Sequence, residues 1–211
     1  MVILVTAFEP FGFGRTNGSW EAVRGLAGKY FGNARIVIGQ LPVVWGSAAD
    51  EIRRLVRMYR PIAIVGFGQA GSEPVRLEKT ARNSRQILTD NKGWIPSKLK
   101  IYADGPRRLA TSLPFHLIQN NLRAQGIPAK TCNNAGGYLC NEAFYTLMHD
   151  PGTPEAKKVR RGFIHVPPLN ARVKKVRFDR KMLQRTAEIV IETIVDPTAA
   201  KTSKKWSFTR K

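Results

Sequence analysis

The sequence predicts an α/β protein with a largely parallel sheet. Short apolar runs rich in β-branched residues recur along the chain, and the segments between them have the spacing of amphipathic helices. This alternation is typical of parallel strands joined by helical connections. The length of 211 residues is enough for one substantial core and does not require a second domain.

Five segments have the composition of strands in this sheet. They are residues 2–6, 34–41, 62–66, 129–132 and 162–166. Residues 75–83 form a further short, strand-like run. Between residues 84 and 109 the pattern is irregular and contains turn signals, and a loop of that length in a compact domain is often functional.

Four helices are expected between and after these strands. One follows Gly46, carries the apolar stripe Ile52, Leu55 and Val56, and ends before Pro61. A second covers about residues 114–125, and a third begins near residue 141. The last covers about residues 179–195, and the lysine-rich segment 198–211 beyond it has no periodicity and is predicted to be a flexible tail.

The formal net charge of +20 is the most unusual bulk property of the chain. Much of it lies in the last third, where it would attract anions of any kind. The basic runs contain no zinc-finger spacing, no RNP-like aromatic motif and no basic region followed by heptads. We therefore interpret the charge as a solvated basic face, and specific nucleic-acid binding is not expected.

Cysteine usage indicates a reducing, cytoplasmic setting. The chain has two cysteines, which cannot form the disulfide framework of a small secreted protein. No CxxC pair or histidine cluster supplies zinc ligands, so no zinc site is expected. The apolar opening is too short to span a bilayer, and no membrane association is predicted.

Cys140 is the strongest candidate for a catalytic nucleophile. The segment before it is rich in Asn and Gly, and helical spacing begins at Asn141, so Cys140 is expected at a helix N-terminus. There the helix dipole and free N–H groups would favour the thiolate and could hold an oxyanion. A buried structural cysteine is the alternative reading of the same position.

His165 is the best candidate for the base among three histidines. It ends a buried strand and precedes Pro167 and Pro168, at the kind of strand end where α/β folds present catalytic groups. His116 is placed on a helix face, and His149, at a helix C-terminus, is expected to be a surface residue. A structural role for His165 remains the alternative.

Glu78 is the candidate for the carboxylate that orients the imidazole. It lies in the strand-like run 75–83, whereas most other acidic residues lie in exposed helices. Spacing alone does not single it out.

Several motifs together resemble the pyroglutamyl peptidase I, or pyrrolidone-carboxylate peptidase, family of cysteine peptidases. In chain order they are VTAFEPFG, NGSWEAV, LPVVWG, GFGQAG, LEKTARN, DNKG, TSLPF, GIPA, NNAGGYLCN and GFIHVP. The resemblance extends from the first strand to about Pro168. It implies that Glu78, Cys140 and His165 form the catalytic triad of a peptidase that removes N-terminal 5-oxoproline from peptides without a cofactor.

The resemblance also implies a three-layer α/β/α sandwich, a catalytic domain covering residues 1–197, and a homo-oligomer, commonly a tetramer. Phe8 and Phe11 match phenylalanines that enclose the pyrrolidone ring. Gln69, Tyr138 and Leu139 match other positions of that pocket. A flat, neutral lactam requires an apolar slot with a few amide partners, which agrees with these residue types.

The chain departs from the family pattern at several positions. Phe13 interrupts the glycines after EPF, and Gly18 replaces a proline. Ser72 and Glu73 stand where the family has Gly-Arg, and Ile87 replaces an arginine for which Arg85 could substitute. Two alternatives therefore stay open: hydrolysis of a different small amide, and a basic anion- or nucleic-acid-binding protein that retains the fold.

Overall fold

The computed structural model describes residues 1–12, 14–149 and 159–196, and it places a seven-stranded sheet between two layers of helices. The strands are β1 (Val2–Phe8), β2 (Tyr30–Phe31), β3 (Ala34–Leu41), β4 (Ala63–Gln69), β5 (Val75–Glu78), β6 (Thr80–Arg82), β7 (Arg108–Ala110), β8 (Ala129–Cys132), β9 (Arg160–Val166), β10 (Arg172–Val173) and β11 (Val176–Arg177). The helices are α1 (Gly18–Val23), α2 (Ser47–Tyr59), α3 (Phe115–Ala124), α4 (Leu139–His149) and α5 (Arg180–Val195).

The main sheet is mixed but mostly parallel, with strand order β2-β3-β1-β4-β9-β5-β8. The pairings β1 with β3, β1 with β4, β4 with β9, and β5 with β8 are parallel, while β2 with β3 and β5 with β9 are antiparallel. The predicted fold class and the α/β/α sandwich are confirmed. The reversal at β5 was not predicted, because strand direction leaves no signal in hydrophobic periodicity.

All five predicted strands are present, and three of them differ from prediction by one to three residues at an end. The run 75–83 is divided at Lys79, whose N–H donates to the Cys132 carbonyl while its own carbonyl accepts from Thr111. As a result β5 joins the main sheet and β6 pairs with β7 in a separate ribbon.

The four predicted helices are present, and α1 is an additional one. Helix α1 has only six residues, too few for a periodic signal, and the Asn17 side chain caps it by accepting from the Ser19 N–H. No helix in the described ranges is long and apolar enough to cross a membrane. The predicted tail 198–211 lies outside the described residues.

The two faces of the sheet bury different sets of side chains. Alternate residues of β1 point to opposite faces, so Ile3 and Val5 pack in one layer with α1, α3 and α5, while Leu4 packs in the other with α2 and α4. Both faces of the sheet are therefore buried, which explains why the central strands are nearly continuous apolar runs.

Glycines in β4 leave room for side chains of α4 and β9 to pack directly against the strand backbone. A Cβ added at Gly66 would lie 2.4 Å from the ring of Phe163 and 2.9 Å from Leu147. The ring of Phe163 is fully buried and occupies the space above this glycine. The absence of a side chain at Gly66 is thus a packing requirement of the α4 layer.

We predict that Gly66→Ala lowers the free energy of unfolding by about 1–3 kcal/mol, because the added methyl overpacks a buried aromatic contact. Gly71→Ala is the matched control, since a Cβ there meets nothing within 4 Å. Urea unfolding monitored by circular dichroism measures both. Equal stability of the two variants would contradict the packing argument.

Candidate active site

His165 and Glu78 are joined by a buried hydrogen bond on the α4 side of the sheet. The antiparallel register of β5 and β9 pairs Glu78 with Phe163, two residues before the histidine. The side chain of Glu78 reaches diagonally across, and its Oε1 lies 2.8 Å from His165 Nδ1. Glu78 is 0% exposed and His165 is 3% exposed. The carboxylate and the imidazole are therefore shielded from water.

Cys140 reaches the same place from helix α4. It is the second residue of that helix, which begins at Leu139 as the sequence predicts to within two residues. A Cβ added at Gly68 would lie 2.9 Å from Cys140 Sγ. Gly68 is also the register partner of His165 in the β4–β9 pairing. The thiol and the imidazole thus both adjoin the backbone at Gly68.

The contacts of His165 define its tautomer. Burial alone would raise the pKa of Glu78, but the hydrogen bonds and charges of His165 and Arg76 hold that pKa below its ordinary value. An ionised carboxylate 2.8 Å from Nδ1 requires the proton on Nδ1. The lone pair of Nε2 is then available to accept a proton, as a general base requires.

The imidazole itself is neutral at rest. Burial lowers the pKa of His165, and the Glu78 carboxylate only partly opposes this effect. A neutral ring with its proton on Nδ1 is the form that can accept a proton from a neighbouring thiol.

The thiol of Cys140 is also neutral at rest, so the expectation that its helix position favours a thiolate is wrong. Burial raises the pKa of Cys140 to about 12, and the nearby Arg76 lowers it only in part. The thiolate must therefore form by proton transfer during attack. The backbone N–H groups of Leu139 and Cys140 lie in the first turn of α4, outside its i to i−4 hydrogen-bond ladder, so they can hold a developing oxyanion.

A small apolar pocket opens beside Cys140. The five residues expected to bind substrate all line it, although their roles remain predictions. Its lining consists of Phe8, Phe11, Asn17, Val43, Gln69, Tyr138, Leu139 and Cys140. Phe8 is also part of the core, whereas Phe11 is 42% exposed and forms part of the rim. Phe13 lies outside the described residues.

Gln69 presents hydrogen-bond donors in this pocket. Its Oε1 accepts from the backbone N–H of Gly18 at 2.6 Å, which fixes the orientation of the side-chain amide. The N–H groups on its Nε2 have no acceptor among the described residues. A carbonyl oxygen of a bound ligand could accept from them.

Polar residues of two separate motifs tie the pocket walls together. Glu9 Oε1 accepts from the Val43 N–H at 2.9 Å and from Asn91 Nδ2 at 3.3 Å. The same Asn91 side chain accepts from Gly12 and donates to the Pro10 carbonyl. The DNKG turn therefore holds the loop that carries Phe8 and Phe11.

The residue after the cysteine has a scaffolding role. Asn141 is fully buried, and its side-chain amide exchanges hydrogen bonds with Arg82 and donates to the Ser84 carbonyl, all at 2.8–2.9 Å. Asn83 in turn binds four backbone groups of residues 101–105. These amides fix the irregular 84–107 segment against α4.

Three residues of the site were missed at the sequence level. Val43 and Asn17 line the pocket, and Arg76 binds both Glu78 and Glu73. The signal for Val43 was its place in the LPVVWG motif. Arg76 left no such signal, because its proximity to His165 follows from the unpredicted antiparallel pairing of β5 with β9.

Arg85 does not reach the pocket as a substitute for the missing arginine. Its Nε donates to the buried Glu142, and its Nη1 donates to the carbonyls of Lys98 and Lys100. Those contacts fold the 84–107 segment. Ile87, which stands at the arginine position, is 66% exposed.

His149 differs from prediction, since it is half-buried rather than a surface residue. Its ring packs at 4.2 Å from Tyr102 and 5.5 Å from Tyr145, measured between centroids. The irregular segment folds back over α4 and covers it. Among the residues that the structure describes, no group of three or more His, Cys, Asp or Glu side chains could hold a metal ion.

Comparisons with known proteins agree with this geometry. The family model described as pyroglutamyl peptidase matches residues 1–197. Pyrrolidone-carboxylate peptidase of Cupriavidus pinatubonensis is 41% identical over 169 residues, which is 79% of this chain and 78% of that protein. The Bacillus cereus protein of the same name is 32% identical over 198 residues, 93% of this chain and 92% of that protein.

Solved structures of pyroglutamyl peptidases are also similar to this chain. Pyroglutamyl peptidase I of Bacillus amyloliquefaciens superposes with a TM-score of 0.83 at 32% identity, covering 92% of this chain and 96% of that chain. A mutant pyrrolidone carboxyl peptidase of Pyrococcus furiosus gives a TM-score of 0.84 at 28% identity, covering 93% and 99%.

We predict that Cys140 contributes no thiolate signal to the resting protein between about pH 6 and pH 9, because burial disfavours the charged form. The measurement is the ultraviolet thiolate absorbance of the parent minus that of Cys140→Ser, as a function of pH. A step within this range that Cys140→Ser removes would show that a thiolate forms at rest.

Proposed function

This chain belongs to the pyroglutamyl peptidase family, and we propose that it removes N-terminal pyroglutamyl residues from peptides by cysteine catalysis. The observation that carries the proposal is that Cys140 Sγ and His165 both lie next to Gly68, beside an apolar pocket. In this proposal Cys140 is the nucleophile, His165 is the base and Glu78 orients the base. The reaction uses these side chains and water.

The pyrrolidone ring binds in the pocket lined by Phe8, Phe11, Tyr138 and Leu139. Its lactam carbonyl accepts from the free N–H of Gln69, whose orientation the Gly18 N–H fixes. The pocket lining contains no charged side chain. An ordinary N-terminus carries an ammonium group, and its transfer to such a site without a counter-ion is costly. The uncharged lactam avoids that cost.

Attack begins with proton transfer from the Cys140 thiol to His165 Nε2. The sulfur forms a bond to the carbonyl carbon of the scissile amide, and the carbonyl oxygen becomes an oxyanion. The N–H groups of Leu139 and Cys140 stabilise this charge. Glu78 stabilises the imidazolium through the 2.8 Å contact at Nδ1.

The imidazolium then protonates the nitrogen of the leaving peptide, and the C–N bond breaks to give a pyroglutamyl thioester. Water attacks this thioester with His165 as base. The C–S bond breaks, pyroglutamate leaves and the thiol is restored. Each proton that His165 accepts is returned within the cycle.

We also propose that the protein works in the cytoplasm as a homo-oligomer. Both cysteines are free, which agrees with a reducing compartment. The 84–107 segment exposes several large apolar side chains, a pattern common at interfaces between subunits; they are Ile87, Leu88, Trp94, Ile95 and Leu99. The family-model match over residues 1–197 supports a catalytic domain with those limits.

We expect the purified protein to release a fluorogenic amine from its pyroglutamyl amide and not from the prolyl or alanyl amides. Cys140→Ala should lower the rate roughly 10⁴-fold or more, because it removes the proposed nucleophile. Cys132→Ser is the matched control and should retain the parental rate. Cleavage of a different amide by the folded parent would instead indicate a divergent substrate, and cleavage by Cys140→Ala would exclude the nucleophile.

Glu78→Gln should lower kcat roughly 10²-fold while leaving KM for the pyroglutamyl amide near the parental value. The glutamine amide can donate to Nδ1, which moves the ring proton to Nε2 and removes the base. Steady-state kinetics of the parent and Glu78→Gln measure kcat and KM separately. A parental kcat would contradict the assignment of Glu78 as the orienting residue.

A further inference from the structure

Arg76 connects the Glu78–His165 pair to a second carboxylate. Its Nε donates to Glu78 Oε1 at 2.8 Å, and its Nη1 donates to Glu73 Oε1 at 2.8 Å. Its Nη2 lies 3.1 Å from His165 Nδ1. The side chain is 18% exposed, so water screens these contacts only weakly.

The guanidinium is held in place from outside the pair. Glu73 Oε2 accepts from Lys130 Nζ at 2.6 Å while its Oε1 binds Arg76. Lys130 is the register partner of Arg76 in the parallel pairing of β5 with β8. Glu73 is also the position at which this chain departs from the Gly-Arg of the family pattern, so the departure supplies the anchor for Arg76.

We propose that Arg76 is a positioning residue for the catalytic pair, and that its Glu73-anchored guanidinium sets the lower pH limit of activity. The proposal rests on the function proposed above, in which neutral His165 is the base. It assigns a role to a side chain that is not part of the pocket lining.

The first part of the argument concerns Glu78. Its Oε1 accepts from both His165 and Arg76, and its Oε2 has no partner among the described residues. A fully buried carboxylate with one free oxygen would readily take up a proton unless a cation stood beside it. The hydrogen bond from His165 and the charge and hydrogen bond of Arg76 together hold the pKa of Glu78 below its ordinary value, so Glu78 stays ionised and keeps the proton of His165 on Nδ1.

The second part concerns His165. A buried carboxylate alone would stabilise the imidazolium and remove the base at mildly acidic pH. The guanidinium beside Nδ1 opposes this, and it acts with burial to lower the pKa of His165. Arg76 thus allows Glu78 to orient the ring without making it permanently charged.

Other titratable groups around the ring are few. Helix α4 contributes Cys140, which is neutral, and β8 contributes Cys132 and Lys130, the latter neutralised by Glu73. Strand β4 faces the ring with Gly66 and Gly68. Arg76 and Glu73 are therefore the charges that adjust the Glu78–His165 pair.

The sign of the effect follows from the role of His165. Activity requires the neutral ring, so it is present above the pKa of His165 and lost as the pH falls through that value. Arg76→Gln removes a positive charge near the ring and should move the acid limb of kcat/KM upward by about one pH unit. Arg76→Lys keeps the charge and should restore most of the parental limb.

Glu73→Gln provides a test in the opposite direction. In this variant the glutamine oxygen can still accept from Arg76 Nη1, so the guanidinium stays anchored while a negative charge that raises the pKa of His165 is lost. The acid limb should therefore move downward. Arg35→Gln removes an exposed positive charge elsewhere on the surface and should leave the limb unchanged. A general disturbance of the fold would not move the acid limb in opposite directions in Arg76→Gln and Glu73→Gln.

The parent and these four variants should be titrated by NMR on the His165 ring signals, which are tractable because the chain has three histidines. The titration needs no substrate, so it tests the effect of Arg76 on the pKa of His165 even if the protein lacks the proposed activity. An upward shift in Arg76→Gln and a downward shift in Glu73→Gln support the proposal. An unchanged pKa of His165 in Arg76→Gln would overturn the proposal. If Arg76→Gln does not fold, a pKa of His165 in Glu73→Gln that is unchanged or raised would overturn it instead.

Discussion

The close approach of helix α4 to strand β4 at Gly68 is the contact on which the site depends. Cys140 Sγ occupies the space that a side chain at residue 68 would fill. Because His165 is the neighbour of Gly68 in the sheet, the same approach places the thiol and the imidazole beside the same glycine. Tyr138 and Leu139 directly precede the cysteine, so the helix start that positions the nucleophile also positions one wall of the pocket. The position of α4 therefore determines both where the proposed nucleophile lies and where that wall of the pocket lies.

The sequence predicts the features that leave a local pattern. The apolar runs of β1 and β9, the stripe of α2 and the Asn- and Gly-rich turn before Cys140 each identify an element near its observed place. The antiparallel direction of β5 has no such pattern, since periodicity is the same in both directions. That direction brings Arg76 opposite His165, so Arg76 could not be found without the sheet. Glu78 was a candidate because it lies in a strand-like run, and the family motif then matched it; its spacing alone did not single it out.

The protonation state of the site is decided by burial more than by the helix. A helix N-terminus contributes about 0.3–1 kcal/mol to a nearby charge. One pKa unit corresponds to about 1.4 kcal/mol, so this contribution lowers a pKa by less than about one unit. Burial of a thiol or an imidazole produces larger shifts, up to about 3–5 units. Cys140 and His165 are thus both neutral at rest. Of the three residues only Glu78 is charged, because Arg76 and His165 both donate to its Oε1.

The large positive charge of the chain acts outside the site. The pocket is lined by apolar side chains and by the neutral amides of Asn17 and Gln69. Arg76 lies behind the Glu78–His165 pair, and Glu73 balances it. An ammonium group would lose its hydration in such a pocket and gain no carboxylate there, which costs several kcal/mol. A neutral lactam loses little and gains an amide partner, so selection at the N-terminus depends on desolvation rather than on the net charge of the surface.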